Sequence, residues 1–226
     1  MYNRKDGYLK GDGMNYRQIA WDWNGTLLND AEVSCMAISE MLEKRGLGSV
    51  SLDEYREKIA FPAINMYYDS GFDLQKESYE DIANEFTGNY LKRFEKIELQ
   101  KDAAAVLNRF RQRGIRQHIV SASGRDILFR QIEKYGLKPF FTYILGQRNN
   151  YAESKVHLAQ KLVRLTGCSP DEILFIGDTV HDYEVAKEAG FHCLLVSNGH
   201  CSRERLGATG APVFPDLTAL YDALYP

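Results

Sequence analysis

From residue 102 to residue 200 the chain alternates short apolar runs with segments whose apolar positions recur at helical spacing, and this alternation restricts the fold more than any other feature. The runs are Ile115 to Val120, Phe141 to Leu145, Ile173 to Ile176 and Cys193 to Val196, each bounded by polar residues or glycine, as buried strands are. The helical patterns cover residues 102–113, 125–135, 154–166 and 182–189. Strand and helix in strict turn predict a parallel sheet with helices on both faces, a Rossmann-like doubly wound α/β fold. An earlier run, Ile19-Ala20-Trp21, stops at Asp22 and the turn-forming pair Asn24-Gly25. It reads as a first buried strand that ends on a carboxylate.

Residues 30–98 interrupt the pattern, with helix formers, tyrosines and amphipathic spacing but no convincing strand. They predict a small all-helical insert. Gly46-Leu47-Gly48, Phe61-Pro62 and Ser70-Gly71 each end a helix, so several short helices are expected. Residues 17–29 and 99–226 then form the α/β core, residues 1–16 a loose polar extension, and Asp216 to Leu220 a last helix against the sheet edge.

At 226 residues the chain has room for one core and a modest accessory lobe. Its net charge of −3 gives no broad reason to expect nucleic acid, and Arg109, Arg111, Arg113 and Arg116 read as a solvated helix face. Cys35, Cys168, Cys193 and Cys201 are scattered, without a Cys-x-x-Cys pair or a secretory leader, which predicts free thiols and a cytoplasmic address. No segment approaches the roughly eighteen apolar residues of a membrane helix. The sequence does not distinguish monomer from homodimer.

In an open parallel sheet, ligands bind beyond the carboxyl ends of the strands. Polar residues gather at those ends here: Asp22-Trp23-Asn24-Gly25-Thr26, then Ser121, then Lys155 at a helix start, then Gly177-Asp178-Thr179-Val180-His181-Asp182. In order and type the set resembles the four motifs of the haloacid dehalogenase superfamily, whose phosphatases carry Asp-x-Asp-x-Thr, a Ser or Thr, a Lys, and Gly-Asp-x-x-x-Asp. The likeness spans residues 17–200 and puts the insert where that family has its small mobile cap.

The resemblance implies a phosphatase similar to the phosphoglycolate phosphatase group, acting on a small-molecule phosphate ester. Asp22 would be the nucleophile, forming an aspartyl-phosphate that divides hydrolysis into two easier displacements. Nucleophile and phosphate are both anionic, so Mg²⁺ is expected between them, held by Asp22, Asp178 and the Asn24 backbone carbonyl, with Asp182 orienting the metal site. Ser121 and Lys155 would bind the phosphoryl oxygens. Trp21 and Trp23 are expected in core packing and the cleft wall, and His181 in a loop. Phe61, Pro62, Asn65 and Tyr67 are expected to line the substrate side of the cap. Arg125 is expected in the first turn of a helix, solvated or touching substrate.

One residue departs from the family pattern. Most phosphatases of the family have a second aspartate where this chain has Asn24, and that group protonates the leaving oxygen and then deprotonates the attacking water. An amide does neither, a loss of on the order of 10² to 10⁴ in rate for substrates that need the proton. Aryl and acyl phosphates, whose leaving groups depart unprotonated, should therefore be favoured. The alternatives are a phosphonate hydrolase, which would need a cap lysine such as Lys44 or Lys58 to form an imine, and a phosphate-binding regulatory protein without turnover.

Overall fold

The structure, a computed structural model, describes residues 16–226, so the extension expected at 1–16 falls, apart from Tyr16, outside the described residues. The strands are β1 (Gln18–Trp21), β2 (Leu28–Asn29), β3 (Glu98–Leu99), β4 (Arg116–Gly124), β5 (Tyr143–Gln147), β6 (Ile173–Gly177), β7 (His192–Val196) and β8 (Val213–Phe214). Six of them form one sheet in the order β5-β4-β1-β6-β7-β8, and every pairing in it is parallel. The chain leaves β1 for β4 and β5 on one side, then returns to β6 on the other. This reversal opens a crevice at the carboxyl ends of β1 and β6, the place where such sheets bind ligands.

The helices are α1 (Ala31–Lys44), α2 (Leu52–Lys58), α3 (Ala63–Asp69), α4 (Tyr79–Leu91), α5 (Ala103–Gln112), α6 (Arg125–Lys134), α7 (Val156–Thr166), α8 (Val180–Ala189), α9 (Arg203–Gly207) and α10 (Leu217–Leu224). Alternation along the strands sorts side chains between the two faces. Ile19, Trp21, Ile119, Leu174, Ile176, Leu194 and Val196 pack with apolar residues of α5, α6 and α10. Ala20, Val120, Phe175 and Leu195 pack with those of α7 and α8. Both faces are covered, which is why the strands read as continuous apolar runs.

Helices α1 to α4 occupy the stretch predicted to be a helical insert, and they break at the three expected positions. Ser51 caps α2 in a reciprocal pair with Glu54, and Ser78 caps α4. Both chain connections to these helices run through an antiparallel ribbon, with Leu28 opposite Leu99 and Asn29 opposite Glu98. That ribbon and β8 were not expected from sequence, because two-residue strands carry no periodicity.

Two other expectations need correction. Arg109 and Arg113 are not simply solvated: their guanidinium groups lie 3.7 Å from the Tyr221 ring and 3.9 Å from the Tyr225 ring, so they clamp the end of the chain onto α5 by cation–π contact. Arg111 lies over Phe140, while Arg116 belongs to β4 rather than to the helix. Trp23 is wholly buried core and no part of a cleft wall, because its indole N–H is satisfied internally by Gln131 Oε1 at 2.8 Å. The four cysteines are free thiols, as expected. No helix among the described residues is long and apolar enough to cross a membrane.

Phe110 is fully buried and meets Trp21 and Tyr221 edge-on at 5.7 and 4.8 Å, joining α5, β1 and α10. Phe110→Ala should lower unfolding stability by about 3–5 kcal/mol, the range for emptying a buried aromatic site. Urea denaturation followed by tryptophan fluorescence checks this, and a loss below about 1 kcal/mol contradicts the packing described.

Candidate active site

Asp22 directly follows β1, its backbone N–H donating to Ile176 O at 2.8 Å, so β1 and β6 together fix the carboxylate at the crevice. Lys155, the residue before α7, reaches in from a neighbouring loop and is 2% exposed. Its ammonium contacts Asp22 Oδ1 and lies 2.6 Å from Asp182 Oδ1. Carboxylate oxygens of Asp22, Asp178 and Asp182 all lie within 4.8 Å of one another.

The turn after β6 explains how two carboxylates are held there. Thr179 caps α8 in a reciprocal pair with Asp182. Asp182 Oδ2 accepts from the backbone N–H groups of Asp178 and Thr179 at 3.0 and 2.9 Å, leaving Oδ1 to face Lys155. Asp178 Oδ1 accepts from Thr26 Oγ1 at 2.6 Å, and its Oδ2 accepts from the His200 backbone N–H at 2.7 Å. Gly25 has φ +79°, and a Cβ added there would stand 2.2 Å from Asp178 Oδ2; one on Gly199 would stand 2.1 Å away. The Asp178 carboxylate thus fills space left by two missing side chains.

Burial pushes the Asp22 carboxyl well above its ordinary range; Lys155 opposes this, while Asp182 and Asp178 add to it. Asp178 is likewise raised, to about 6, chiefly by burial. Burial would raise Asp182, but Lys155, Thr179 and His181 together move it down. Burial would lower Lys155, yet Asp182 and Asp22 hold it protonated. Three buried carboxylates against one ammonium leave negative charge unbalanced, and an all-oxygen donor set suits a hard divalent cation.

Asn24, Ser121 and Lys155 line one cavity with Asp22 and Asp182. Ser121 is 1% exposed in β4, just past Val120, where the regular pairing with β5 is interrupted. The sequence-derived residues therefore converge: Asp22, Asn24, Ser121, Lys155 and Asp182 share the cavity, and Asp178 joins them through the carboxylate cluster. His181 departs from expectation. It sits in the first turn of α8, stacks on Phe61 at 5.3 Å and lines the cavity, because the capping pair starts the helix one residue before it. Phe61 and Tyr67 line the cavity as expected, while Pro62 and Asn65 are exposed and do not. Arg125 is exposed and lies outside the lining.

A second network was missed from sequence. Asp30, 1% exposed, accepts from the Gly25 backbone N–H at 2.8 Å, Asn24 Nδ2 at 2.6 Å and Tyr90 Oη at 2.7 Å. His200 Nε2 lies 3.1 Å from it, and His200 Nδ1 lies 2.8 Å from Tyr55 Oη on α2. Burial would lower the His200 pKa, but Asp30, with Asp178 nearby, raises it to about 9. Asn24 is held at both ends, since its Oδ1 accepts from Ser123 Oγ. Asp30 stands just before α1 and reads as a helix cap, though its side chain makes no capping bond. His200 could have been found by applying the strand-end rule to β7.

Residues 19–196 match the family model described as haloacid dehalogenase-like hydrolase. The chain belongs to that family of hydrolases. It is 22% identical to a phosphoglycolate phosphatase of Pseudomonas putida over 213 residues, 90% of this chain and 78% of that protein. A pyrophosphatase PpaX of Bacillus cereus is 22% identical over 187 residues, 81% of this chain and 84% of that protein. The crystal structure of a hydrolase from Pseudomonas syringae shares the fold, with a TM-score of 0.75, 20% identity, and coverage of 92% of this chain and 97% of that one.

Lys155→Met should cost about 3–5 kcal/mol of stability at pH 7, because it leaves buried carboxylates without their counterion. With the ammonium gone, these carboxylates take up protons more readily, so the loss should shrink at pH 5. Urea titrations of both proteins at the two pH values test this, and an equal loss at each pH speaks against the charge pairing.

Proposed function

We propose that the chain is a Mg²⁺-dependent phosphatase of small phosphate monoesters, with Asp22 as nucleophile and residues 30–98 as a cap over the cleft. The observation that carries this reading is the convergence of Asp22, Lys155, Asp178 and Asp182 at the carboxyl ends of β1 and β6. Phosphatases among the similar proteins support it.

Asp22 Oδ attacks phosphorus as the bond from phosphorus to the ester oxygen breaks, and the leaving oxygen carries away the electron pair. Water then displaces Asp22 from phosphorus, so that ester and water become alcohol and phosphate. Lys155 and Ser121 bind the phosphoryl oxygens and stabilise the charge that spreads over them. Mg²⁺, held by Asp22, Asp178, Asp182 and the Asn24 carbonyl, would offset repulsion between nucleophile and phosphate. Asn24 positions but transfers no proton. Its hydrogen bonds to Asp30 and Ser123 fix the nucleophile turn on both sides.

The phosphonate-hydrolase reading lacks its imine-forming lysine. Lys44 pairs with Glu85 at 2.8 Å with its side chain 69% exposed, Lys58 is exposed, and neither lines the cavity.

Asp22→Asn should reduce phosphate release from p-nitrophenyl phosphate by on the order of 10³ or more, as loss of a nucleophile does. Retained activity would remove Asp22 from the mechanism. Metal binding carries a pH signature. Between the ordinary carboxylate range and about 6 the folded protein keeps a proton on Asp178 that the unfolded chain has released, so this group destabilises the metal-free fold as pH rises through that window. A cation must displace that proton at pH values below about 6 and meets an ionised carboxylate above it. Mg²⁺ should therefore raise the melting temperature more at pH 7.5 than at pH 5, and not at all in Asp178→Asn. Thermal denaturation decides this, and equal shifts at both pH values count against the site.

A further inference from the structure

The phosphate end of the cavity is polar, and the rest of its wall is mostly apolar, with Ser34, Thr87 and Asn150 among the polar exceptions. Ile59, Phe61, Met66, Tyr67 and Phe86 contribute from α3, α4 and the segment between α2 and α3, and Ile127 contributes from α6. Lys155 is the one lysine or arginine in the lining, and it is already committed to Asp22 and Asp182. His200 is engaged at both ring nitrogens by Asp30 and Tyr55. A second anionic group on a substrate would be desolvated against this wall without a counterion, close to the carboxylates of Asp22 and Asp182.

The cavity has a volume of about 140 Å³. Apolar cavities of about 150 Å³ take up a single benzene ring, and the volume here includes the phosphoryl end, so the space beyond that end suits a leaving group no larger than one small ring. Rings already pair around this space: Phe61 with His181 at 5.3 Å, Tyr67 with Tyr79 at 6.2 Å and Phe86 with Tyr90 at 6.0 Å. The leaving group points the same way, independently of the wall. Both ends of the Asn24 amide are occupied, and an amide protonates nothing, whereas a phenolate departs without a proton.

We propose that the cavity selects monoesters whose alcohol part is a single uncharged aromatic ring, and that it disfavours substrates bearing a second anion, such as phosphoglycolate or pyrophosphate. This substrate class rests on Asp22 being the nucleophile, and the test separates the two. Phosphate release by the full chain with Mg²⁺ is measured on phenyl phosphate, 2-phosphoglycolate, pyrophosphate and acetyl phosphate, alongside Asp22→Ala. Because phenolate is an intrinsically good leaving group, competitive inhibition by benzylphosphonate and by phosphonoacetate is measured as well, which compares binding alone.

The expected result is a kcat/KM for phenyl phosphate at least tenfold above those for phosphoglycolate and pyrophosphate, with benzylphosphonate at least tenfold tighter than phosphonoacetate. Thr87, another lining residue, offers a converse variant: Thr87→Lys places a cation in the wall and should narrow both ratios at least tenfold. If acetyl phosphate turnover is lost in Asp22→Ala but phosphonoacetate binds as tightly as benzylphosphonate, the substrate class is overturned and the nucleophile stands. If acetyl phosphate turnover survives in Asp22→Ala, both fall.

Discussion

The contact of Lys155 with Asp22 and Asp182, inside a ring of buried carboxylates, is the interaction on which the rest of the molecule turns. Gathering three carboxylates in a buried site is unfavourable unless they are anchored and partly neutralised. The fold supplies both conditions. Asp22 is fixed by the meeting of β1 and β6, Asp182 by the capping of α8, and Asp178 by Thr26 and a backbone N–H. What remains is a surplus of negative charge, which the proposed Mg²⁺ would offset.

Around this cluster runs a continuous chain of hydrogen bonds. Trp23 bonds Gln131, Gln131 bonds Tyr90, and Tyr90 bonds Asp30, which also holds Gly25, Asn24 and His200. His200 then reaches Tyr55 on α2. The helices of the insert are therefore tied to the turn after β1 at two points, through α4 and through α2. Arg56 Nε on Gly199 O, and Arg205 on the carbonyls of Arg56 and Ile59, add further ties on the same side.

The sheet was legible in the sequence because strands buried on both faces leave uninterrupted apolar runs, and Ile173 to Ile176 and Cys193 to Val196 are unambiguous in that respect. The residues at the head of the site were legible because chemistry at strand ends leaves polar residues where an apolar run stops, as at Asp22 and Asp178. Asp30 was hidden by a plausible alternative, since an acidic residue before a helix usually only caps it. His181 was misjudged for a related reason: the Thr179 and Asp182 pair that starts α8 also serves the site. Apolar cap residues such as Met66 and Phe86 carry no signal that separates lining a cavity from packing a helix.

The Asn24 amide sits 2.6 Å from Asp30 as a donor. An aspartate in its place would put two carboxylate groups in direct contact, and they could coexist only by sharing a proton. Positions 24 and 30 are thus coupled across the turn, so that the protonation of an acid placed at the first would depend on the carboxylate at the second.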